Sequence, residues 1–206
     1  MTLVRPAVAA ICVVVAACSS PTRPSPQSPV ALEGGASASA GPTTAATGHS
    51  PVIEAVGGGT FIITLADGSE AIVDFSMSAL STPGGTVTGR FHHRTTLGGL
   101  GVEFVGETTC LSVDPVNNRA WIGGVIVENH SEHPSFTTPR TQPGKDIWFR
   151  VLDNGVDQAA DDRSTFVGFE GDAGIGTSEQ YCQVQVWPDG NARTWPVVRG
   201  NITVNP

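Results

Sequence analysis

Glu70-Ala71-Ile72-Val73-Asp74-Phe75-Ser76-Met77-Ser78-Ala79-Leu80 is the stretch that decides the fold. Ala71, Val73, Phe75, Met77 and Ala79 fall on one face, and Asp74, Ser76 and Ser78 on the other, which is the period of a strand with one buried side. The alternation recurs outward from there. Val87, Gly89 and Phe91 alternate with Thr86, Thr88 and Arg90. Within residues 145–152, Ile147, Phe149 and Val151 share a phase, while Trp148 and Leu152 give the second face apolar character too. Cys182, Val184 and Val186 alternate with Tyr181, Gln183 and Gln185, and Val198, Ile202 and Val204 share a phase near the end. Residues 121–127 (WIGGVIV) are apolar on both faces and predict a central strand covered on each side. Turn residues separate these runs at 66–69, 82–85, 97–99, 114–118, 154–155 and 188–191. No stretch reads as a capped helix with a 3.6-residue apolar period. Eight or nine short strands predict an all-β domain. An antiparallel β-sandwich is the expected architecture and a closed β-barrel the alternative.

Every Phe, Tyr and Trp of the chain lies after residue 50, so the domain is read as residues 51–206, a length with room for a real core. The segment before it differs in kind. All but six of residues 19–50 are Ser, Pro, Ala, Gly or Thr, a composition that cannot offset its ordering entropy by burial. Residues 18–50 are therefore expected to form a disordered leash, spanning about 30 Å on average.

The chain opens with Arg5 as its one early charge, and Pro6–Ala17 carries no polar side chain apart from Cys12. That run is shorter than the ~20 residues a spanning helix needs and has the length of a signal-peptide core. It ends Val15-Ala16-Ala17-Cys18, which resembles the lipobox of bacterial lipoproteins at all four positions. The resemblance implies that residues 1–17 are removed and that Cys18 carries a diacylglyceryl group. The domain would then be held on the extracytoplasmic side of a membrane in the cell envelope. An ordinary signal peptide cut after Ala17 is the competing reading.

Net charge is −8, with Lys145 the only lysine, which argues against nucleic acid as a partner. With Cys12 leaving in the signal and Cys18 lipidated, Cys110 and Cys182 remain. In an oxidising compartment they are expected to form a disulfide, the alternative being two reduced core thiols.

The most distinctive chemistry lies in Val151-Leu152-Asp153-Asn154-Gly155-Val156-Asp157, followed by Asp161-Asp162. The run resembles a pattern in uncharacterised secreted bacterial β-domains, Val-x-Asp-Asn-Gly-Glu-Gly with a later Asp, over about 20 residues. Val156-Asp157 replaces the Glu-Gly, and no activity comes with the resemblance. The side chains of Asp153, Asn154, Asp157, Asp161 and Asp162 supply the oxygens a Ca²⁺ site needs, though the EF-hand spacing is missing. The competing reading is a tight turn in which Asp153 or Asn154 bonds its own backbone and Gly155 is left-handed. His92 and His93, adjacent on a strand, face opposite ways. His130 and His133 sit in the long loop 129–144, where zinc would lack a third ligand at a known spacing. No nucleophile elbow, zinc-protease helix or P-loop is present.

These readings point to a lipid-anchored envelope module that binds a protein, glycan or wall component, or serves structurally. The rival is a metal-dependent enzyme built from Asp153, Asp157, Asp161 and His130 or His133, with a calcium-stabilised domain as a third option. The four tryptophans are expected in the core rather than on a sugar platform.

Overall fold

The computed structural model describes residues 52–155 and 161–206. The signal segment, Cys18, the leash of residues 18–50 and Asp157 lie outside the described residues. The described residues form nine strands: β1 (Ile53–Thr64), β2 (Glu70–Ser81), β3 (Val87–Leu97), β4 (Leu100–Asp114), β5 (Arg119–Asn129), β6 (Asp146–Leu152), β7 (Arg163–Ser164), β8 (Gly168–Phe169) and β9 (Trp195–Asn205). Each of β1 to β6 pairs antiparallel with the next. β7 then links β6 to β9, and β9 pairs with β1. The result is a closed antiparallel barrel of eight strands, with β8 added alongside β6.

The all-β expectation holds, and of its two architectures the barrel is the one observed, not the preferred sandwich. The reason lies in the connections and the curvature. Tight turns at 65–69, 82–86 and 98–99 keep each strand beside its predecessor, so the chain winds as a meander. Register shifts between Val105 and Gly106 and between Thr108 and Cys110 coil β4 against β5. In β9, Thr60 faces Arg199 but Phe61 faces Val197, which makes Val198 the extra residue of a bulge. Val198 is thereby turned outward and Val197 inward, correcting the expectation that Val198 shares a phase with Ile202 and Val204. Gly200 makes the close approach beside this bulge: with φ +103°, a Cβ there would stand 2.0 Å from the Gly58 carbonyl oxygen.

Large apolar side chains occupy the barrel interior. Phe61, Phe91, Phe104 and Phe149 are its largest fully buried side chains, meeting edge to face as in Phe91–Phe149 at 5.3 Å between centroids. Ala71, Val73, Phe75, Met77 and Ala79 all point inward, as their alternation predicts. The loop after β5 covers one end. Asn129 donates its side-chain N–H groups to the carbonyls of Phe136 and Thr141, and Phe136 packs on Phe104, Phe166 and Phe169.

A second cluster sits outside the barrel on β5 and β6, where Trp121 and Trp148 meet Ile175, Tyr181 and Trp187. This is the second cover that residues 121–127 required. It includes α1 (Ser178–Val184), so the expected strand around Cys182 is in fact a helix. The local reason is a capping pattern. The Thr177 hydroxyl accepts the Gln180 backbone N–H, and the Gln180 side chain accepts the Gly176 N–H. The expected disulfide joins Cys110 on β4 to Cys182 on α1. Gly123 makes room for the docking, since a Cβ there would lie 2.7 Å from the Cys110 sulfur and 2.8 Å from Ser178 Cβ. One oxygen of Asp146 accepts both the backbone N–H and the hydroxyl of Ser178, each at 2.7 Å.

Candidate binding cleft

The barrel wall is narrowest between β6 and β9. Only the two residues of β7 bridge them: Ser164 and Arg163 face Val151 and Leu152 on one side, Trp195 and Pro196 on the other. Beyond β7 in one direction, carboxylates take the place of a strand. In the other direction the wall opens into a cleft.

The carboxylate side contains the acidic pattern. Asp162 accepts the Asn154 N–H with one oxygen at 2.9 Å and the Ile202 N–H with the other at 2.7 Å, while its carbonyl takes the Val197 N–H. Asp153 accepts the Gly155 N–H at 2.6 Å and the Val204 N–H at 2.9 Å. The Asn154 amide donates to the Asp161 carbonyl, and Gly155 is left-handed at φ 74°. Asp153 and Asp162 thus latch the loop to backbone donors of β9 that have no neighbouring strand. Of the five candidate calcium ligands, these two have both oxygens committed, Asp161 turns only its carbonyl to a partner, and Asp157 is not described. Among the described residues no group of three or more His, Cys, Asp or Glu gathers as a metal site would need.

Replacing Asp162 by Ala leaves the Asn154 N–H of the loop and the Ile202 N–H of β9 without acceptors and should cost about 3 kcal/mol in urea denaturation. Asp161→Ala should stay within about 0.5 kcal/mol, because its exposed side chain bonds nothing among the described residues. Equal losses at the two positions would show that the latch is not what closes this part of the wall.

The histidines are dispersed. His92 points outward to Glu103 at 2.9 Å, His130 pairs with Glu128 at 2.9 Å, and His133 accepts the Ser135 N–H in the covering loop. His93 points into the barrel, fully buried among Phe75, Phe91, Phe149 and Phe166. Its two ring nitrogens have no partner among the described residues. Burial, with the neighbouring His92 adding to it, pushes its pKa down to about 3, so the ring is neutral.

The cleft on the other side of β7 has a volume of about 700 Å³. Trp148 and Arg150 reach it from the outward face of β6, Phe166 from the turn between β7 and β8, Tyr181 and Val184 from α1, and Trp195 from the start of β9. Trp148 and Tyr181 stack at 5.5 Å and 20°, and each is almost fully buried. The Arg150 guanidinium lies 5.4 Å from the Trp187 ring centroid and donates to the Ala192 carbonyl, while its Nε is buried without a partner among the described residues. Arg119 lies over the same indole at 4.7 Å. Burial pushes the Tyr181 phenol up to about 12, against the opposing pull of the Arg150 charge. Asp172, the one carboxylate on the lining, gives one oxygen to Arg140 at 2.7 Å and the other to the Phe169 N–H at 2.9 Å.

Sequence reasoning missed this cleft. The one signal it offered was the second apolar face of residues 145–152, which marks Trp148 as covered from outside. Two of the four tryptophans, Trp121 and Trp148, are buried as expected, and Trp187 and Trp195 are half-buried. No protein-family model, curated protein or solved structure matches the chain.

Proposed function

We propose that the chain is a lipid-anchored binding module of the cell envelope, with the cleft between β6 and β9 as its ligand site. The observation that carries the reading is the cleft itself: about 700 Å³ of aromatic, aliphatic and guanidinium surface where the barrel wall has no β6–β9 pairing. Its groups are not a proton-transfer set. Guanidiniums carry N–H donors and no acceptor, burial pushes the Tyr181 phenol up, and both oxygens of Asp172 are already engaged. Binding rather than turnover is what such a lining supports. The lipobox at Val15–Cys18 supports the location, and a leash of residues 18–50 would lift the domain clear of the headgroups.

Two measurements test the halves of this proposal. Cys18→Ser should move the protein from the membrane fraction to the soluble one; retention in the membrane fraction would sink the anchoring. The soluble Cys18→Ser chain, incubated with envelope extract and examined by native mass spectrometry, should return with a small molecule bound. Adding Thr64→Trp, which sets bulk into the cleft from an exposed position, should abolish that complex. A chain that always returns empty would overturn the ligand site.

A further inference from the structure

The cleft combines charge with apolar surface, and this combination says what kind of ligand fits. Val184 and Val186 are each 49% exposed at the rim, and Phe166, Val167 and Trp195 continue the apolar wall. Aliphatic side chains left half in water around a concavity make a surface that an apolar ligand body would cover. Arg150 and Arg193 also line the cleft, and neither forms an ion pair with an acid among the described residues. The remaining charge on the lining, Asp172, is neutralised by Arg140. In a chain of net charge −8, a cleft with two guanidiniums that pair with no acid among the described residues is a local positive site in an acidic molecule.

Resting on the reading of this cleft as the ligand site, we propose that it binds a small anionic amphiphile: an apolar body bearing one carboxylate, sulfonate or phosphate group. The head group would lie against Arg150 and Arg193, whose forked N–H donors suit a planar or tetrahedral oxyanion. The body would lie along Phe166, Val167, Val184 and Trp195. Two other ligand classes fit less well. A sugar needs an open aromatic face to stack on, but Trp148 and Tyr181 are only 4% and 6% exposed and are stacked on each other. A cationic ligand would meet two guanidiniums and no free carboxylate.

The test pairs ligands that differ only in charge. Octanoate and octanol, and 4-phenylbutyrate and 4-phenylbutanol, are titrated into the Cys18→Ser chain by calorimetry. Each acid should bind at least about tenfold tighter than its alcohol, and the gap should narrow with added salt. Arg193→Gln, at an exposed position, should bring the acid down to the level of the alcohol without moving the melting temperature. Thr64→Trp should abolish binding of both. Equal affinity for acid and alcohol, lost in Thr64→Trp, would leave the cleft a ligand site but overturn its preference for anions. Binding that survives Thr64→Trp places the ligand elsewhere and overturns the inference. No binding of either acid overturns it as well, while the envelope-extract experiment separately decides whether the cleft binds anything.

Discussion

Taken from pH 7 to pH 4, the domain should lose about 3 kcal/mol of stability through His93 alone. The sign follows from the folded value. The unfolded chain protonates this ring near pH 6.5, but inside the barrel the same ring titrates only at about 3. Between those values the unfolded state binds the extra proton, so stability falls as pH falls, and the contribution is complete only above about 6.5. The barrel cannot absorb the charge. Phe75, Phe91, Phe149 and Phe166 surround the ring, and none of them can solvate an imidazolium. Carboxylates titrate over part of the same range, so the decisive quantity is a difference. Urea denaturation of the parent chain and of His93→Leu, a substitution of similar volume, should diverge as pH drops, with the variant the more stable. At neutral pH the variant should already match or exceed the parent, because it removes two ring nitrogens buried without partners among the described residues. Parallel stability curves from pH 7 to pH 4 would mean that His93 gains a proton without opening the barrel.

Local pattern was legible in the sequence and pairing was not. The run 71–79 states its own inward face, and 121–127 states that it is covered twice. Both are properties of single strands, and burial of one face follows from hydrophobicity alone. Whether strands close into a ring depends on residues far apart: the bulge at Val198, the close approach of Gly58 and Gly200, and a β7 of two residues between β6 and β9. None of these has a local signature strong enough to choose a barrel over a sandwich. The helix at 178–184 did leave one, Thr177-Ser178-Glu179-Gln180, but two turns carry too little apolar period to outweigh the alternation of Cys182, Val184 and Val186. The acidic pattern was visible as a constellation. Its use was not, because the β9 backbone donors that Asp153 and Asp162 serve lie some 40 to 51 residues onward. The cleft was the least legible feature, since Thr64, Trp148, Phe166, Tyr181 and Trp195 meet only after the ring has closed.

Opening the Cys110–Cys182 bond should lower stability by about 4 kcal/mol and loosen the cleft in the same step. The bond closes a loop of 72 residues, for which the chain-entropy model gives this magnitude. Its structural reach is larger than one crosslink suggests, because α1 is only seven residues long and would not persist without tertiary support. The contacts that hold it include the disulfide to β4, the Asp146 oxygen at Ser178, and the Tyr181 ring stacked on Trp148. The last two remain when Cys110 and Cys182 are both replaced by Ser, so the barrel should still fold. Hydrogen exchange should then rise across residues 177–186 while β2 and β3 stay protected, since β2 pairs with β1 and β3, and β3 pairs with β4 only over residues 100–107, short of Cys110. Tryptophan emission should shift to longer wavelength as water reaches Trp121 and Trp148 beneath the helix. Tyr181 and Val184 line the cleft from α1, so affinity for an anionic amphiphile should fall together with the helix's protection. Loss of less than about 1 kcal/mol with unchanged exchange at 177–186 would assign the helix's docking to aromatic packing and Asp146. Loss of stability with ligand affinity intact would show that the cleft draws its binding energy from β6, β9 and the turn at Phe166 rather than from α1.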